Sequence, residues 1–349
     1  MNRWKGIILL TVFCGVLFTG CAKNDIRVPS QSEGRENDAA GQDPQERPEG
    51  ASASQAQVPE HADKPVQKPQ NDAPEHRTGE EDADKFSEEE IAGDGRGAGI
   101  IRPEGMTLET RFAEPEGFSR VQGEEGSLLA FLREYPVKED GSPVLLYNGT
   151  EKGNQRAHAA VLALPIESED LQQCADSVMR VYAEYFWESG QKERIAFHFV
   201  NGFYAQYTRW RDGERIRVEG NEVTWVQTDG FDDSYENLKK YLRYVFSYAG
   251  TLSMDAESEP VPVDDLRAGD VFLKGGSPGH VVMVVDLCED GQGDRAFLLA
   301  QGYMPAQEFH VLKNPLHEDD PWYYADELRF PLRTPEYTFE EGSLRRLAY

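Results

Sequence analysis

Followed for the spacing of its apolar and polar positions, the chain divides into three unequal stretches. Arg3 and Lys5 lead into an apolar run from Gly6 to Gly20. That run is too short to span a membrane comfortably and has the charged-then-apolar form of a secretory signal, so residues 1–20 are read as a signal peptide. From Ala22 to about Glu104 periodicity disappears. Pro, Gln, Glu, Asp, Gly and Ser dominate and aromatic residues are nearly absent, so the segment cannot bury enough apolar surface to offset the entropy of ordering it. A disordered tether is predicted, with a low-affinity interaction tail as the alternative. From Gly105 to Tyr349 the apolar pattern is dense, without a Pro/Ser-rich break or an internal repeat, and one folded domain is expected over 105–349.

Two elements of that domain stand out. In "ESEDLQQCADSVMRVYAEYFWESG" the apolar positions Leu171, Cys174, Ala175, Val178, Tyr182, Tyr185 and Phe186 fall at the three-and-four spacing of one helical face. Ser168 or Asp170 is the expected cap and Gly190 the expected end. In "RAGDVFLKGGSPGHVVMVVDLCED" a turn at Gly269-Asp270 leads into a strand over Val271–Leu273. "KGGSPG" then reverses the chain, and His280 opens a second strand. That strand has β-branched residues on both faces, so it reads as central and covered on both sides. "AFLLAQG" gives a third strand, Ala296 to Gly302, ending in the polar Gln301.

Charge narrows the partners. The formal net charge is −27, the tether holding ten basic and twenty acidic residues, and the folded part keeps −19 with no basic stripe. Phosphate backbones are repelled by such a surface, which excludes nucleic acid. No HExxH and no paired CxxC occurs, so no zinc site is expected, and the chemistry considered below needs no cofactor. His158 and His198 sit in strand-like runs and read as structural.

Of four cysteines, Cys14 lies in the apolar leader and Cys21 follows small Thr19 and Gly20 in "LFTGC". That phrase resembles a bacterial lipobox. The resemblance implies that Cys21 is lipidated and ties an exported domain to the cell membrane; an uncleaved N-terminal anchor is the alternative. Cys174 and Cys288 remain. In an exported protein two leftover cysteines often pair. Against this, Cys288 stands roughly 26 Å along a straight strand from His280, and a disulfide needs Cα atoms within about 7 Å. Cys174 therefore serves one partner or the other.

A helix with a cysteine in its first turns, then a strand opening on histidine, then a strand offering a polar side chain is the order seen in papain-like cysteine amidases of the cell-wall type. The resemblance implies an α+β fold with a papain-like core, a helix packed on an antiparallel sheet. It also implies Cys174 as nucleophile, His280 as general acid and base, and Gln301 as the group that orients the ring. The wide interval between Cys174 and His280 implies an inserted region between helix and sheet. The phrases "LQQCADSVMRVYAEYFW", "YLRYVFSYAGTLSM", "GDVFLKGGSPGHVVMVVD" and "FLLAQGYMPAQEFHVLKNP" together resemble a bacterial lipoprotein family designated domain of unknown function 4846, which implies no activity.

Further candidates flank these. Trp210 and Arg215, beside a tight turn at Asp212-Gly213, suit a substrate carboxylate and its apolar neighbour, or form the solvated tip of a hairpin. Tyr303 and Gln307 follow Gln301 and either line the cleft or cap the sheet. The expected function is a cell-envelope thiol amidase or peptidase acting on peptidoglycan or related amide bonds. A catalytically silent lipoprotein that binds an envelope ligand, or a scaffold, is the alternative.

Overall fold

The computed structural model describes residues 99–349; the apolar leader, Cys21 and the tether up to residue 98 lie outside the described residues. The folded body takes in residues upstream of Gly105. Ile100 is buried, its carbonyl accepts a hydrogen bond from the Ala113 amide at 2.7 Å, and Arg102 N donates to Arg111 O at 2.8 Å. Two isoleucines suffice to bring this end of the acidic stretch into the core, ahead of the expected boundary.

The strand His280–Asp290 is the middle of the molecule, buried at every position from His280 to Cys288. It pairs antiparallel with Val271–Lys274, Lys274 facing His280, and on its other side with Arg295–Gln301. His310–Leu312 and then His158–Val161 extend the sheet beyond Arg295–Gln301. Leu344–Leu347 and Ser258–Pro260 extend it past Val271–Lys274. Phe118–Arg120 joins the far end of the central strand, and Tyr323–Tyr324 the start of its neighbour. The fold is α+β with an antiparallel sheet, as the hairpin and third strand predict.

Side chains alternate faces along a strand, and here both faces are apolar. Val281, Met283 and Val285 join one core with the helix Cys174–Glu188. Val282, Val284 and Leu287 join another with Phe272, Phe297, Leu299 and Phe339. The helix begins at Cys174, capped by Gln173 rather than by Ser168 or Asp170. Gln173 N donates to Asp176 Oδ2 at 3.0 Å, closing the first turn, while Asp170 Oδ1 is taken by the Ala306 amide at 2.7 Å. Gly190, at φ 73°, follows its end.

Between the helix and the sheet come short hairpins, the helix Tyr235–Tyr248 and the helix Thr251–Ala256. Among the described residues no helix is long and apolar enough to cross a membrane.

Helix and sheet meet at Gly302, directly after Gln301. A Cβ there would stand 2.5 Å from Ser177 Oγ and 3.2 Å from Gln173 O, so the helix start rests on a bare backbone. Gly302→Ala is expected to destabilise the fold by about 1–3 kcal/mol through overpacking, read in urea unfolding. Adding Ser177→Ala, which removes the closest atom, is expected to recover part of that loss. An unchanged midpoint for Gly302→Ala would show that the helix start is free to move.

Candidate functional site

His280 lies at the first position of the central strand, only 3 % exposed. Its ring is packed by Tyr303 at 4.6 Å, Tyr337 at 4.7 Å and Phe339 at 5.9 Å between centroids. Its Nε2 is 2.8 Å from Gln301 Oε1, on the neighbouring strand. An amide oxygen only accepts, so the ring nitrogen facing it carries the proton. The Gln301 nitrogen donates to Glu336 Oε2 at 2.8 Å and lies 3.4 Å from His310 Nε2. Lys152 Nζ donates to the same Glu336 oxygen and stands 3.4 Å from His310 Nε2. Tyr303 and Tyr337, which pack against the ring, are only partly buried.

Cys174 occupies the first position of its helix and is 6 % exposed. It belongs to the core on the helix-bearing face of the sheet, whereas alternation puts His280 on the opposite face with Val282. Both lie toward the same end of the sheet, where Gly302 meets the start of the helix. Gly302, which rests on Gln173 and Ser177, leads straight into Tyr303. Both tyrosines against the imidazole also feel the sulfur. Burial, then Glu336 and Cys174, push the Tyr303 phenol up to about 12, and burial followed by Cys174 raises Tyr337.

Burial dominates the titration of the ring. Desolvation draws His280 down to about 4, more than the Gln301 bond and the Glu336 charge can offset. His310 is lowered for the same first reason. Desolvation would raise Glu336, but His310, whose Nε2 at 3.9 Å is too distant for a hydrogen bond, and above all the hydrogen-bonded Lys152 charge hold its carboxyl well below the usual range, at about 2. The cluster at neutral pH is thus two neutral imidazoles and one buried ion pair.

Neither Cys174 nor Cys288 forms a disulfide, so the pairing alternative does not hold. Cys288 is fully buried far along the central strand, opposite Arg120 and Ala296, and burial first, then Asp286, pushes its thiol up to about 12. Such a thiol is inert at neutral pH.

Trp210 and Arg215 serve the framework instead of the cleft. The predicted hairpin at Asp212-Gly213 is a short helix, Tyr207–Arg211, followed by a hairpin that turns between Glu219 and Glu222. That turn of helix places the Trp210 indole among Tyr241 and Tyr244, its Nε1 donating to Asn237 Oδ1 at 2.9 Å. Arg215 lies over the Trp210 ring, donates to Trp210 O at 2.7 Å and pairs with Asp229 at 2.9 Å. Burying the indole outweighed the local turn signal. Gln307 is buried and donates to Pro305 O at 3.0 Å, which braces the loop after Tyr303. His198 donates its backbone N–H to Glu257 Oε1 at 2.8 Å and its Nδ1 lies 3.3 Å from Glu257 Oε2, and His158 Nε2 lies 3.1 Å from Ser142 O.

Lys152, His310, Glu336 and Tyr337 join the cluster without having been singled out in the sequence. His310 lies within "EFHVLKN", and the sheet register sets it across from Gln301. Lys152 and Glu336 come from loops and carry no local mark. Among the described residues no group of three or more His, Cys, Asp or Glu side chains is placed to hold a metal ion.

A family described as a domain of unknown function (4846) matches residues 108–346. The chain belongs to this family. No curated protein and no solved structure matches it. Within this family member the matched span includes every residue of the cluster, from Lys152 to Tyr337, and the helix of Cys174.

Acid is expected to loosen this domain in two steps. The His280 ring binds a proton less readily folded than unfolded, so stability falls as pH drops from about 6.5 to 4, by on the order of 3 kcal/mol. Glu336, whose carboxyl lies lower folded than unfolded, adds a further loss from about 4.5 to 2. Urea unfolding at stepped pH measures both, and His280→Asn is expected to flatten the upper step. An undiminished slope in that variant would remove His280 as its source.

Proposed function

We propose that this protein is a thiol hydrolase of the cell envelope, a cysteine amidase or peptidase, in which Cys174 attacks, His280 moves the proton and Gln301 orients the ring. The observation that carries this reading is the 2.8 Å contact of Gln301 Oε1 with His280 Nε2, at the end of the sheet where the Cys174 helix begins. With Nε2 occupied as donor, Nδ1 holds the lone pair that a thiol needs. A base turned by an orienting group, beside a nucleophile at a helix start, is the recurring arrangement of acyl transfer.

In that role Nδ1 takes the Cys174 proton as the sulfur adds to the carbonyl carbon of an amide. The imidazolium then returns the proton to the leaving nitrogen as the C–N bond breaks, leaving a thioester and a free amine. Water, deprotonated by the same Nδ1, adds to the thioester, releasing a carboxylic acid and the thiol. Amides of the helix start and the partial positive charge there favour the thiolate. The papain-like identity of the core is part of this proposal. So are the lipid anchor at Cys21 and the export of the domain, which rest on the leader sequence. They direct it to peptidoglycan or related peptide bonds outside the cytoplasm.

A second reading, a silent cleft that binds an envelope ligand, is favoured by the cover of Tyr303 and Tyr337 over a deeply buried His280. Iodoacetamide separates the two. As a hydrolase the protein is alkylated at Cys174 rapidly below pH 7, and digestion of purified peptidoglycan releases fragments that Cys174→Ser and His280→Ala do not release. Slow alkylation at Cys174 together with no fragment release above the Cys174→Ser background would overturn the hydrolase and leave the binder.

A further inference from the structure

We infer that Glu336, held in place by Lys152, is a positioning residue that sets the His280 tautomer through the Gln301 amide. The two ends of a glutamine amide have nearly the same shape, so their direction is decided by what they face. The Gln301 nitrogen end faces Glu336 Oε2 at 2.8 Å. A carboxylate only accepts, so the NH2 must point there. It also faces His310 Nε2 at 3.4 Å. His310 Nδ1 lies 2.8 Å from the Glu308 carbonyl, another pure acceptor, so Nδ1 carries the His310 proton and Nε2 is a lone pair. Two acceptors on one side leave the Gln301 oxygen no choice but to face His280. That ring must then donate from Nε2 and keep Nδ1 bare.

Lys152 completes the device. Its ammonium is buried and donates to the oxygen that Gln301 uses, which keeps Glu336 ionised and unable to turn donor. Lys152 comes from the loop before the strand His158–Val161, and Glu336 from the segment before Thr338–Phe339. Asn154 Nδ2 reaches Glu336 Oε1 at 3.2 Å from that first loop. A buried ion pair is at best a weak source of stability, and apolar replacements are often as stable. The pair here imposes a direction on the amide.

This inference deepens the hydrolase reading, because a fixed tautomer matters to a working imidazole, yet it can be measured without any substrate. The full chain, labelled with 15N at histidine, reports ring protonation through long-range nitrogen–proton correlations at neutral pH. His280 is identified as the signal missing from His280→Asn. The native protein is expected to show protonated Nε2 and bare Nδ1. Glu336→Gln can present its carbonyl to both Lys152 and Gln301, and is expected to keep that state. Lys152→Met combined with Glu336→Leu removes the charges as a pair and the main acceptor, leaving only the longer His310 contact. It is expected to show an Nδ1-protonated population and a roughly tenfold slower alkylation of Cys174 by iodoacetamide, the scale on which loss of an orienting group acts. Glu336→Ala provides the same comparison should the apolar pair not fold. A folded double variant or Glu336→Ala that keeps Nε2 wholly protonated would overturn the positioning role. A tautomer that moves as expected, in a protein whose Cys174 is unreactive throughout, would leave the positioning role standing and remove the hydrolase.

Discussion

A strand of eleven residues, apolar on both faces from His280 to Cys288, must be covered twice, and the rest of the domain is arranged to do it. The helix Cys174–Glu188 supplies one layer and the C-terminal segments around Phe339 supply the other. A polar side chain inside such a strand costs several kcal/mol unless its hydrogen bonds are met. Two occur there, Asp286 and His280, and each recruits distant segments of chain. Asp286 accepts from Arg120 Nε at 3.0 Å and from Arg133 Nε at 2.7 Å, which ties an edge strand and a short helix to the sheet. His280 recruits Gln301 and, through it, Glu336, Lys152 and His310.

The two solutions differ in what they leave over. Around Asp286 both carboxylate oxygens are engaged, one of them also by the Leu287 amide, and the cluster is a structural clasp. Around His280 the hydrogen bond falls on one ring nitrogen, while Tyr303, Tyr337 and Phe339 pack against the ring itself. A titratable ring mounted on a central strand and fixed by one hydrogen bond is held in a defined orientation. Burial makes the same ring a liability in acid, so mounting and acid sensitivity share one origin.

The insertion between helix and sheet explains the fate of the basic and aromatic side chains near Trp210. Its helix Tyr235–Tyr248 offers an aromatic face, and Trp210 and Tyr207 from a single helical turn pack on it. Arg215 is then needed over the indole. Side chains that looked available for a ligand are consumed in holding this satellite layer to the domain.

The hairpin of Val271–Lys274 with His280–Asp290, the third strand ending at Gln301 and the helix through Cys174 were all legible in the chain. Each announces itself by spacing within a dozen or so residues, where burial of one face or two leaves its period in the order of side chains. The Gln173 cap, the helical turn at Trp210 and the early start of the fold at Ile100 were not, because each depends on which distant surface comes to cover the segment. The same division runs through the site. Cys174, His280 and Gln301 lie on regular elements, whose order in the chain carried the resemblance that singled them out. Lys152, Glu336 and Tyr337 come from irregular segments that only the folded chain brings beside them, and hydrogen-bond direction, which decides the tautomer, exists only once those partners are in contact.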